Sequence, residues 1–493
     1  MLPSVFLLLL FFLSQSSSRK NSLKPLRAFN RKINRSPNQG PYYAQPEQIA
    51  LSYGGNVSAM WITWLTYNDT FSSIVEYGIN DLRWSVKGSS ILFIDGGKQR
   101  SRRYIHRVLL TGLIPGTIYR TFTPHESKSI IYTFSGNAIT CLENYLVKVL
   151  EYHVGSEYGW SSSYRFKAMQ DLTNHEYIYA VYGDLGVVNA RSLGKIQQQA
   201  QRSLIDAVLH IGDMAYNLDT DEGQFGDQFG RQIEPVAAYV PYMMVVGNHE
   251  QAYNFSHYVN RYTMPNSEHN LFYSFDLGTA HFIAISTEFY YFTEYGSIQI
   301  ANQWKWLTED LKRASANRDK YPWIITMGHR PMYCSNYDSD DCTKYESRIR
   351  SGMPGTHRYG FEKLFYTYGV DLEIWAHEHS YERMWPLYNR TVYNGTKEPY
   401  TDPPAPVHII SGSAGCQEYT DPFVPQPSPW SAFRSSNYGF GRLHIFNATH
   451  LYFEQVSASK EETEDSFWLI KHKHGPYTFE HRKQMKQFGT YVP

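Results

Sequence analysis

The stretch "YMMVVGNHE" (residues 242–250) ends an apolar run with an amide, an imidazole and a carboxylate. A turn at the end of a strand needs only a residue such as glycine, so three successive polar side chains indicate a further role. Four other apolar runs end in the same way. They are "YIYAVYGD" (ending at Asp184), "AVLHIGDMAY" (with Asp213 and Tyr216), "WIITMGH" (ending at His329) and "LEIWAHEH" (with His377 and His379).

From about Tyr177 onward these runs alternate with helical segments, such as residues 297–314 and 360–368, a pattern that predicts an α/β fold. In open α/β sheets ligands bind beyond the carboxyl ends of the strands, so we expect the five polar tips to meet at one edge. Each tip alone is ambiguous, because aspartate after glycine is usually a turn or a helix cap. The ordered recurrence of Asp, Asn and His after buried strands predicts a metal site.

The composition limits the class of protein. The chain has 493 residues, enough for two or three domains of ordinary size, and 42% of them are hydrophobic, so a large core can form. Its 46 basic and 46 acidic residues give zero formal net charge. This balance argues against a nucleic-acid partner, because a phosphate backbone requires a basic face. The sequence does not indicate an oligomeric state.

The N-terminus has the pattern of a cleaved secretory signal. Residues 5–13 are apolar but too few to span a bilayer, and small polar residues follow, so we interpret residues 1–18 as a signal peptide. The alternative is a buried N-terminal strand. The basic, polar residues 19–40 are interpreted as a linker or a trimmed pro-segment. No later segment has transmembrane length, so we expect no membrane span and a secreted or lysosomal protein.

Seven N-x-[ST] sequons support the secretory interpretation. Pro37 follows the serine of the first sequon, at Asn34, and disfavours its use. Glycosylation is therefore predicted at Asn56, Asn68, Asn254, Asn389, Asn394 and Asn447.

The chain has only four cysteines, so it is not a disulfide scaffold. Cys334 and Cys342 lie close enough in sequence to close a small loop in an oxidising compartment, which leaves Cys141 and Cys416 over. The lack of a CxxC pair argues against a cysteine-based zinc site.

Residues 41–169 have a different pattern. Short alternating runs such as "SAMWITWLTY" predict an antiparallel β-sandwich, and "LTGLIPGTIYR" (residues 110–120) resembles the turn-and-strand signature of fibronectin type III modules. Residues 121–151 interrupt this pattern, and without them "PGTIYR" would continue into "YHVGSEYGW" as one strand. We interpret the segment as an unusual loop insertion or as a translated stretch that splicing should have removed.

The strand ends form an ordered set of motifs that resembles the metallophosphoesterase superfamily. The motifs are GDxG (183–186), GDxxY (212–216), GNHE (247–250), the lone His329 and HxH (377–379). Tyr216, three residues after Asp213, resembles the ligand tyrosine of purple acid phosphatases, and "AHEHSYER" and "HIISGSAGC" look closest to the animal iron/zinc purple acid phosphatase-like proteins. The resemblance implies a fibronectin type III-like N-terminal domain at 41–169. It also implies a calcineurin-like metallophosphoesterase α/β sandwich with a βαβαβ-type core at 175–480, including a C-terminal purple acid phosphatase segment.

The same resemblance implies two metal ions. The first would be held by Asp184, Asp213, Tyr216 and His379, whose two carboxylates and phenolate suit Fe(III). The second would be held by Asp213, Asn248, His329 and His377, a more neutral, nitrogen-rich set that suits Zn(II), Fe(II) or Mn(II). Asp213 would bridge the ions at the ~3.5–4 Å separation of two-metal hydrolases.

These implied ligands predict an acid phosphatase, a phosphoric monoester hydrolase that acts on small phosphate esters with a metal-bound hydroxide as nucleophile. Asn248 would supply a neutral oxygen beside the substrate. His249 would face the phosphate or the leaving group as the catalytic proton donor. Glu250 would orient a neighbouring ligand, the alternative being a solvated surface carboxylate.

One departure from the family pattern concerns the substrate. Plant members place two adjacent histidines shortly after the lone metal histidine, whereas "HRPMYCSNYDSDDC" (329–342) has none after His329. Arg330, Tyr333 and His357 are the candidates to replace them as substrate contacts. The alternatives are a phosphodiesterase or nucleotide pyrophosphatase on the same scaffold and, less favoured, an inactive glycoprotein binding module.

Overall fold

A computed structural model describes residues 43–79, 81–116, 150–170, 175–267, 269–460, 462–477 and 489–491. They lie in one compact unit, Tyr43–Pro493. The predicted signal peptide and linker, Asn34, Cys141 and most of the segment 121–151 lie outside the described residues. Within the described ranges, no helix has both the length and the apolar character that crossing a membrane requires.

The N-terminal part is a β-sandwich of two antiparallel sheets. Its described strands are β1 (Glu47–Tyr53), β2 (Met60–Thr66), β3 (Ile74–Ile79), β4 (Trp84–Lys87), β5 (Ser89–Ile94), β6 (Arg102–Leu110), β7 (Leu150–Ser156), β8 (Gly159–Trp160) and β9 (Tyr164–Phe166). One sheet has the order β1-β2-β6-β5, and the other has the order β4-β3-β7-β8 with β9 also paired to β7. Trp64 of the first sheet and Tyr152 of the second are fully buried in one shared core, as expected for two sheets that pack face to face.

Strand β7 begins inside the segment that interrupts the sandwich pattern. Leu150 and Glu151 pair with Ile79 and Gly78 of β3, so the last two residues of the segment 121–151 are part of the sandwich. The expected continuation of "PGTIYR" into this strand involves residues outside the described ranges. The interpretation of the rest of the segment therefore stays a prediction.

The second part of the chain alternates strands and helices. Its described strands are β10 (Tyr177–Tyr182), β11 (Ala207–Ile211), β12 (Tyr242–Val245), β13 (Tyr273–Leu277), β14 (Ala280–Ala284), β15 (Trp323–Met327), β16 (Leu372–Trp375), β17 (Tyr381–Met384), β18 (Leu387–Tyr388), β19 (Thr391–Tyr393), β20 (Val407–Ser411), β21 (Ser431–Ser435), β22 (Gly439–Ile445), β23 (His450–Ser457), β24 (Thr463–Ile470) and β25 (Gly489–Tyr491). The described α-helices are α1 (Leu193–Gln201), α2 (Thr220–Ala237), α3 (Ala252–Arg261), α4 (Ile298–Ala316), α5 (Arg348–Ser351) and α6 (Phe361–Tyr368). Short 3-10 helices lie at Asn248–Glu250, Glu288–Tyr290, Thr293–Tyr295 and Asp341–Thr343. The helices predicted at 297–314 and 360–368 correspond to α4 and α6.

Two mixed sheets form the centre of this part, and β18, β19 and β25 form a small third sheet. One central sheet has the order β12-β11-β10-β22-β23-β24, in which β10, β11 and β12 are parallel. The other has the order β13-β14-β15-β16-β20-β17-β21, in which β14, β15, β16 and β20 are parallel. Every residue of β11, β15 and β16 is buried, which explains their largely apolar sequences. The predicted α/β class with an N-terminal β-sandwich is confirmed.

The two central sheets pack against each other, and the carboxyl ends of their parallel strands meet. The rings of Tyr179 in β10 and Phe282 in β14 lie 5.0 Å apart between centroids. Just beyond β10, the N–H of Gly183 donates to the carbonyl of Ser411 in β20 at 2.8 Å. The residues that follow β10, β11, β12, β15 and β16 therefore share one edge.

A buried ion-pair network joins the sandwich to α2 and α3. Arg103 of β6 lies 2.7 Å from Asp227 of α2, and Arg261 of α3 lies 2.7 Å from the other carboxylate oxygen of Asp227. Asp95, directly after β5, lies 3.0 Å from Nε2 of His257 in α3. Removing one partner from such a buried pair leaves an uncompensated charge, typically at a cost of about 3–5 kcal/mol. The network therefore holds α3, which begins two residues after the GNHE turn, against the sandwich.

A second ionic cluster links β13, β14 and α4. His281 lies between two carboxylates, with Nδ1 2.6 Å from Asp276 and Nε2 2.9 Å from Asp310. Burial alone would lower the pKa of His281, but the hydrogen bonds and charges of the two carboxylates outweigh it and raise that pKa to about 9. His281 is therefore an imidazolium in the folded protein at neutral pH.

We expect this cluster to stabilise the fold at neutral pH and to weaken in alkali. Because the pKa of His281 is raised from 6.5 to about 9, its contribution is fully present below pH 6.5 and is lost as the pH rises through about 9. The free energy of unfolding of the wild type should exceed that of His281→Gln by roughly 1–3 kcal/mol at about pH 6. Urea denaturation at several pH values measures this gap, and a gap of constant size up to about pH 10 would contradict the assignment.

Candidate metal centre

The residues singled out as metal ligands lie directly beyond the ends of the central strands. Asp184 follows β10, Asp213 follows β11 and Asn248 begins the 3-10 turn after β12 in one sheet. His329 follows β15 and His377 follows β16 in the other sheet. Both sheets therefore contribute side chains to the shared edge.

Four of these residues have a backbone conformation that non-glycine residues rarely adopt. The φ angles are 58° at Asp184, 51° at Asp213, 57° at Tyr216 and 73° at His377. Left-handed backbone of this kind costs free energy and concentrates at functional sites. The strand ends are thus turned sharply, which brings the side chains toward the shared edge.

Two glycines are required for steric reasons. Gly212 has φ 83°, and a Cβ atom added to it would lie 2.5 Å from Nδ1 of His329. A Cβ atom on Gly247 would lie 2.1 Å from Oδ1 of Asp213. A larger residue at either position would displace a predicted ligand that follows another strand.

The first group of side chains consists of Asp184, Tyr216 and His379. The Tyr216 hydroxyl lies 3.0 Å from Oδ1 of Asp184 and 2.9 Å from Nε2 of His379, and the latter two atoms are 3.6 Å apart. All three side chains are buried. Nδ1 of His379 hydrogen-bonds to the carbonyl of Tyr419 at 2.9 Å. With its proton on Nδ1, His379 directs the lone pair of Nε2 toward Tyr216 and Asp184.

The second group surrounds Nε2 of His329. This atom lies 3.1 Å from Oδ2 of Asp213, 3.1 Å from Oδ1 of Asn248 and 3.2 Å from Nδ1 of His377. Nδ1 of His329 hydrogen-bonds to the carbonyl of Ile211 at 2.9 Å, so a neutral ring with its proton on Nδ1 would direct the Nε2 lone pair into the group. Oxygen and nitrogen ligand atoms from four strand ends therefore converge here.

The two groups adjoin. The backbone N–H of His377, in the second group, donates to Oδ2 of Asp184, in the first, at 3.1 Å. The structure thus brings together all the side chains that the sequence singled out as metal ligands, namely Asp184, Asp213, Tyr216, Asn248, His329, His377 and His379.

The electrostatics of these groups fit bound cations. Asp184 and Asp213 are almost completely buried, and their ion pairs within the described ranges are with histidines, not with Lys or Arg. Burial raises the pKa of Asp184 well above its usual range, whereas His329 and His249 outweigh burial at Asp213 and hold its pKa below the usual range. Burial, followed by Asp184 and Asp213, also raises the pKa of Tyr216. Two buried carboxylates beside a phenol and imidazoles form a donor set whose charge metal ions would compensate.

Glu250 ties two of the strand ends together. Its buried carboxylate accepts backbone hydrogen bonds from Asp213, Met214 and Gly247, each at 2.9 Å. Its exposure of 1% excludes the solvated surface carboxylate considered from the sequence. Glu250 therefore positions the turn that carries Asp213 relative to the GNHE turn, as an outer-shell residue does in metal sites.

The sequence singled out Arg330 as a substrate contact but missed Asp340, and both residues contact His377. Oδ2 of Asp340 lies 2.5 Å from Nε2 of His377, and Nη1 of Arg330 lies 2.8 Å from the same nitrogen. Arg330 is itself held by Glu288, at 3.0 Å, and by the Tyr291 ring beneath it. The available signal for Asp340 was the acidic run between Cys334 and Cys342, which form the expected disulfide.

His249 lies at the rim of the first group. Its Nδ1–H donates to the side-chain oxygen of Asn217, and its ring packs on Tyr216 at 4.2 Å between centroids. Its Nε2 lies 3.9 Å from Asp213 and 3.8 Å from Glu418. The side chain is 22% exposed, so the ring is partly open to solvent. Asn217 and Glu418 were not identified from the sequence.

The other two candidate substrate contacts differ in their surroundings, since Tyr333 is packed in the core and His357 is exposed. Tyr333 is 1% exposed, its hydroxyl donates to Glu362 and accepts the backbone N–H of Arg390, and its ring packs on Trp430. His357 is exposed in the turn after α5, where its backbone N–H donates to Met353. A packed, doubly hydrogen-bonded hydroxyl cannot also reach a substrate, so Tyr333 is not retained as a contact. Arg330, the third candidate, contacts His377, and the assignment of His357 stays a prediction.

We expect Glu250→Gln to weaken metal retention. The amide NH₂ of glutamine is a hydrogen-bond donor and would face a backbone N–H, which is also a donor. At least one of the three hydrogen bonds would therefore be lost, and the Asp213 turn would shift. Changes of this kind typically cost about 10–100-fold in metal affinity. Metal content after dialysis against a chelator series measures the effect, with Glu309→Gln, an exposed residue of α4, as the control. Equal retention by the wild type and Glu250→Gln would show that the Glu250 bonds do not position a ligand.

Family models match most of the described chain. They are the purple acid phosphatase N-terminal domain at residues 46–134, the calcineurin-like phosphoesterase at 179–381 and the iron/zinc purple acid phosphatase-like protein C at 405–466. The chain is 47% identical over 433 residues to "Acid phosphatase type 7" of Homo sapiens, a match that covers 87% of this chain and 91% of that protein. It is 46% identical to the protein of the same name in Danio rerio, over 88% of this chain and 94% of that one.

A solved structure has the same fold. It is a purple acid phosphatase isolated from yellow lupin (Lupinus luteus) seeds, 24% identical in sequence, with a TM-score of 0.68 over 87% of this chain and 75% of its own. At this identity the likeness concerns the fold alone. Together with the high identity to the animal proteins over nearly their whole length, it leads to one conclusion: the chain belongs to the purple acid phosphatase family.

Proposed function

We propose that this protein is an acid phosphatase that hydrolyses phosphate monoesters at a binuclear metal centre. The observation that carries the proposal is the convergence of two adjoining groups of metal-ligand side chains at one sheet edge, with a buried tyrosine among them. Family membership and the names of the animal relatives support it. We assign residues 41–169 to the N-terminal domain and residues 175–480 to the catalytic domain.

The donor chemistry supports a division of the ligands into two sets. Asp184, Asp213, Tyr216 and His379 would hold Fe(III), because two carboxylates and a phenolate are hard, anionic donors. Asp213, Asn248, His329 and His377 would hold Zn(II), Fe(II) or Mn(II), because this set is more neutral and richer in nitrogen. When bound, the ions would supply Lewis acidity for the phosphoryl oxygens and lower the pKa of a water molecule toward neutrality.

His249 has the geometry of the proton donor. Asn217 accepts the Nδ1–H, so the ring is held with Nε2 toward the metal centre and toward solvent. In this role a proton on Nε2 would pass to the leaving-group oxygen as the ester bond breaks, which spares the release of an alkoxide. Asn248, whose Oδ1 faces the second group, would supply a neutral oxygen and add no negative charge to repel the phosphate.

Arg330 is the residue that we assign to the substrate side of the second group. Glu288 and the Tyr291 ring hold its guanidinium next to His377 and 3.7 Å from Asp340. An arginine so placed could orient His377 through Asp340 and add positive charge near the phosphate. The chain lacks the two adjacent histidines that plant members carry shortly after the residue equivalent to His329. This difference on the substrate side keeps one alternative open, a phosphodiesterase or nucleotide pyrophosphatase on the same scaffold.

We also propose that the protein matures in the secretory pathway, as a secreted or lysosomal glycoprotein. The asparagines of the six predicted glycosylation sites are exposed in the structure, as attachment of a glycan requires. The disulfide between Cys334 and Cys342 fits an oxidising compartment. The signal-like pattern of residues 1–18 agrees with both observations.

The reaction class is tested with purified protein of known metal content. We expect hydrolysis of para-nitrophenyl phosphate with a maximum below pH 7 and much slower hydrolysis of bis-para-nitrophenyl phosphate. Activity on the diester alone would favour the phosphodiesterase alternative. Protein that retains metal but hydrolyses neither ester would argue against both enzymes and for a binding module.

Two variants test the ligand assignment independently of turnover. Tyr216→Phe should abolish the visible absorption band, because a phenolate bound to Fe(III) is the proposed source of the colour, while iron is still bound. Asp213→Asn should lose both metal and activity, since the bridging carboxylate is removed. Metal analysis and visible absorption spectra measure both effects. A coloured, active Asp213→Asn protein would refute the bridging assignment.

A further inference from the structure

A large cleft lies between α3, the residues just before β13 and α4. Its volume is about 720 Å³, within the ~300–1,000 Å³ of small-ligand sites. Asn254 and Asn260 of α3, Phe272 and, from α4, Gln299 and Trp306 are among its lining residues. None of the side chains assigned to the metal centre lines it. The cleft is therefore a second concave site, separate from the chemistry proposed above.

The lining combines aromatic rings with polar groups that lack partners. The rings of Phe272 and Trp306 lie 4.9 Å apart between centroids, and both are partly exposed. Oγ of Ser256 and Oε1 of Gln299 are buried without a hydrogen-bond partner among the described residues. Buried polar atoms normally find a partner, and a small rotation of either side chain would let a polar ligand in the cleft provide one. Aromatic faces beside amide and hydroxyl groups suit a carbohydrate, whose rings present both C–H faces and hydroxyls.

The position of Asn254 indicates which ligand occupies the cleft. Asn254 belongs to the sequon "NFS" (residues 254–256), lines the cleft and has an exposed side chain. Its backbone is left-handed, with φ 56°, a conformation that asparagine tolerates better than most residues. A glycan attached to its amide nitrogen would begin inside the lining of the cleft rather than on a convex surface.

We propose that the N-linked glycan of Asn254 packs into this cleft, with its first sugars against Phe272 and Trp306 and its hydroxyls bonded to Ser256 and Gln299. The proposal rests on the secretory maturation proposed above and does not depend on the reaction catalysed. The packed glycan bridges α3 and α4. Because α3 begins two residues after the GNHE turn, the glycan would support the helix that follows the metal centre.

The test compares the release of glycans from the native protein. The full chain is secreted from cultured animal cells, treated with a peptide-N-glycosidase, and site occupancy is followed by peptide mass spectrometry. The glycan at Asn447, an exposed residue in the turn between β22 and β23, is the matched reference. We expect release from Asn254 to be at least about tenfold slower than from Asn447, which corresponds to a packed state favoured by about 1.4 kcal/mol. Both sites should be cleaved at the same rate after denaturation.

A variant pair identifies the contact. Trp306→Ala should raise the rate at Asn254 toward that at Asn447, whereas Trp84→Ala, which removes an exposed tryptophan of the sandwich, should leave it unchanged. If Trp306→Ala is not secreted, the rate ratio of the wild type still decides the question.

The other outcomes overturn the proposal in distinguishable ways. Equal release rates in the native wild type would show that the glycan projects into solvent. An unmodified Asn254 beside occupied sequons elsewhere would remove the occupant but leave secretory maturation intact. Protection that disappears on dilution of the protein would mean that a second copy covers the cleft. Absence of glycans from every sequon would refute secretory maturation as well, while para-nitrophenyl phosphate hydrolysis would still report separately on the phosphatase.

Discussion

The site depends on one electrostatic constraint, which is the burial of Asp184 and Asp213 at the ends of adjacent parallel strands. Two carboxylates removed from water need compensating positive charge, and their ion pairs within the described ranges are with histidines. The left-handed turns at both aspartates and the sterically required Gly212 and Gly247 are compatible with this burial, because the glycines let His329 and Asp213 approach the backbone of another strand end closely. A pair of bound cations would compensate the negative charge of the two buried carboxylates.

An outer layer of hydrogen bonds determines how the ligands face one another. Backbone carbonyls bind Nδ1 of His329 and of His379, so both rings present Nε2 inward. Glu250 joins two turns through three backbone N–H groups, and Asp340 holds His377 from the disulfide-closed loop. The fold thus orients the candidate ligand side chains, because donor atoms can bind one ion only when their lone pairs point to the same place.

Much of the fold and most residues of the candidate metal centre could be predicted from the sequence, because the evidence for both is local. Buried parallel strands appear as continuous apolar runs, and a ligand that follows a strand end is visible as a break in that run. Asp340, Asn217 and Glu418 could not be predicted in this way. They lie in irregular loops, where no periodicity shows which side chain faces inward, and their contacts join residues far apart in the chain. Tyr333 was misjudged for the same reason, because its neighbours in sequence do not reveal that it packs in the core.

By itself, the sequence determined the type and order of the candidate ligands, the alternation of strands and helices, and the two-part organisation of the chain. These properties depend on residue chemistry and on periods of two to a few residues, which short-range sterics and burial decide. Only the tertiary structure decided which side chains meet: that Arg330 lies beside His377, that Glu250 is buried under the turns, and that Asn254 opens onto a cleft. Those relations arise from tertiary packing, in which segments tens of residues apart come into contact and no local pattern records the result.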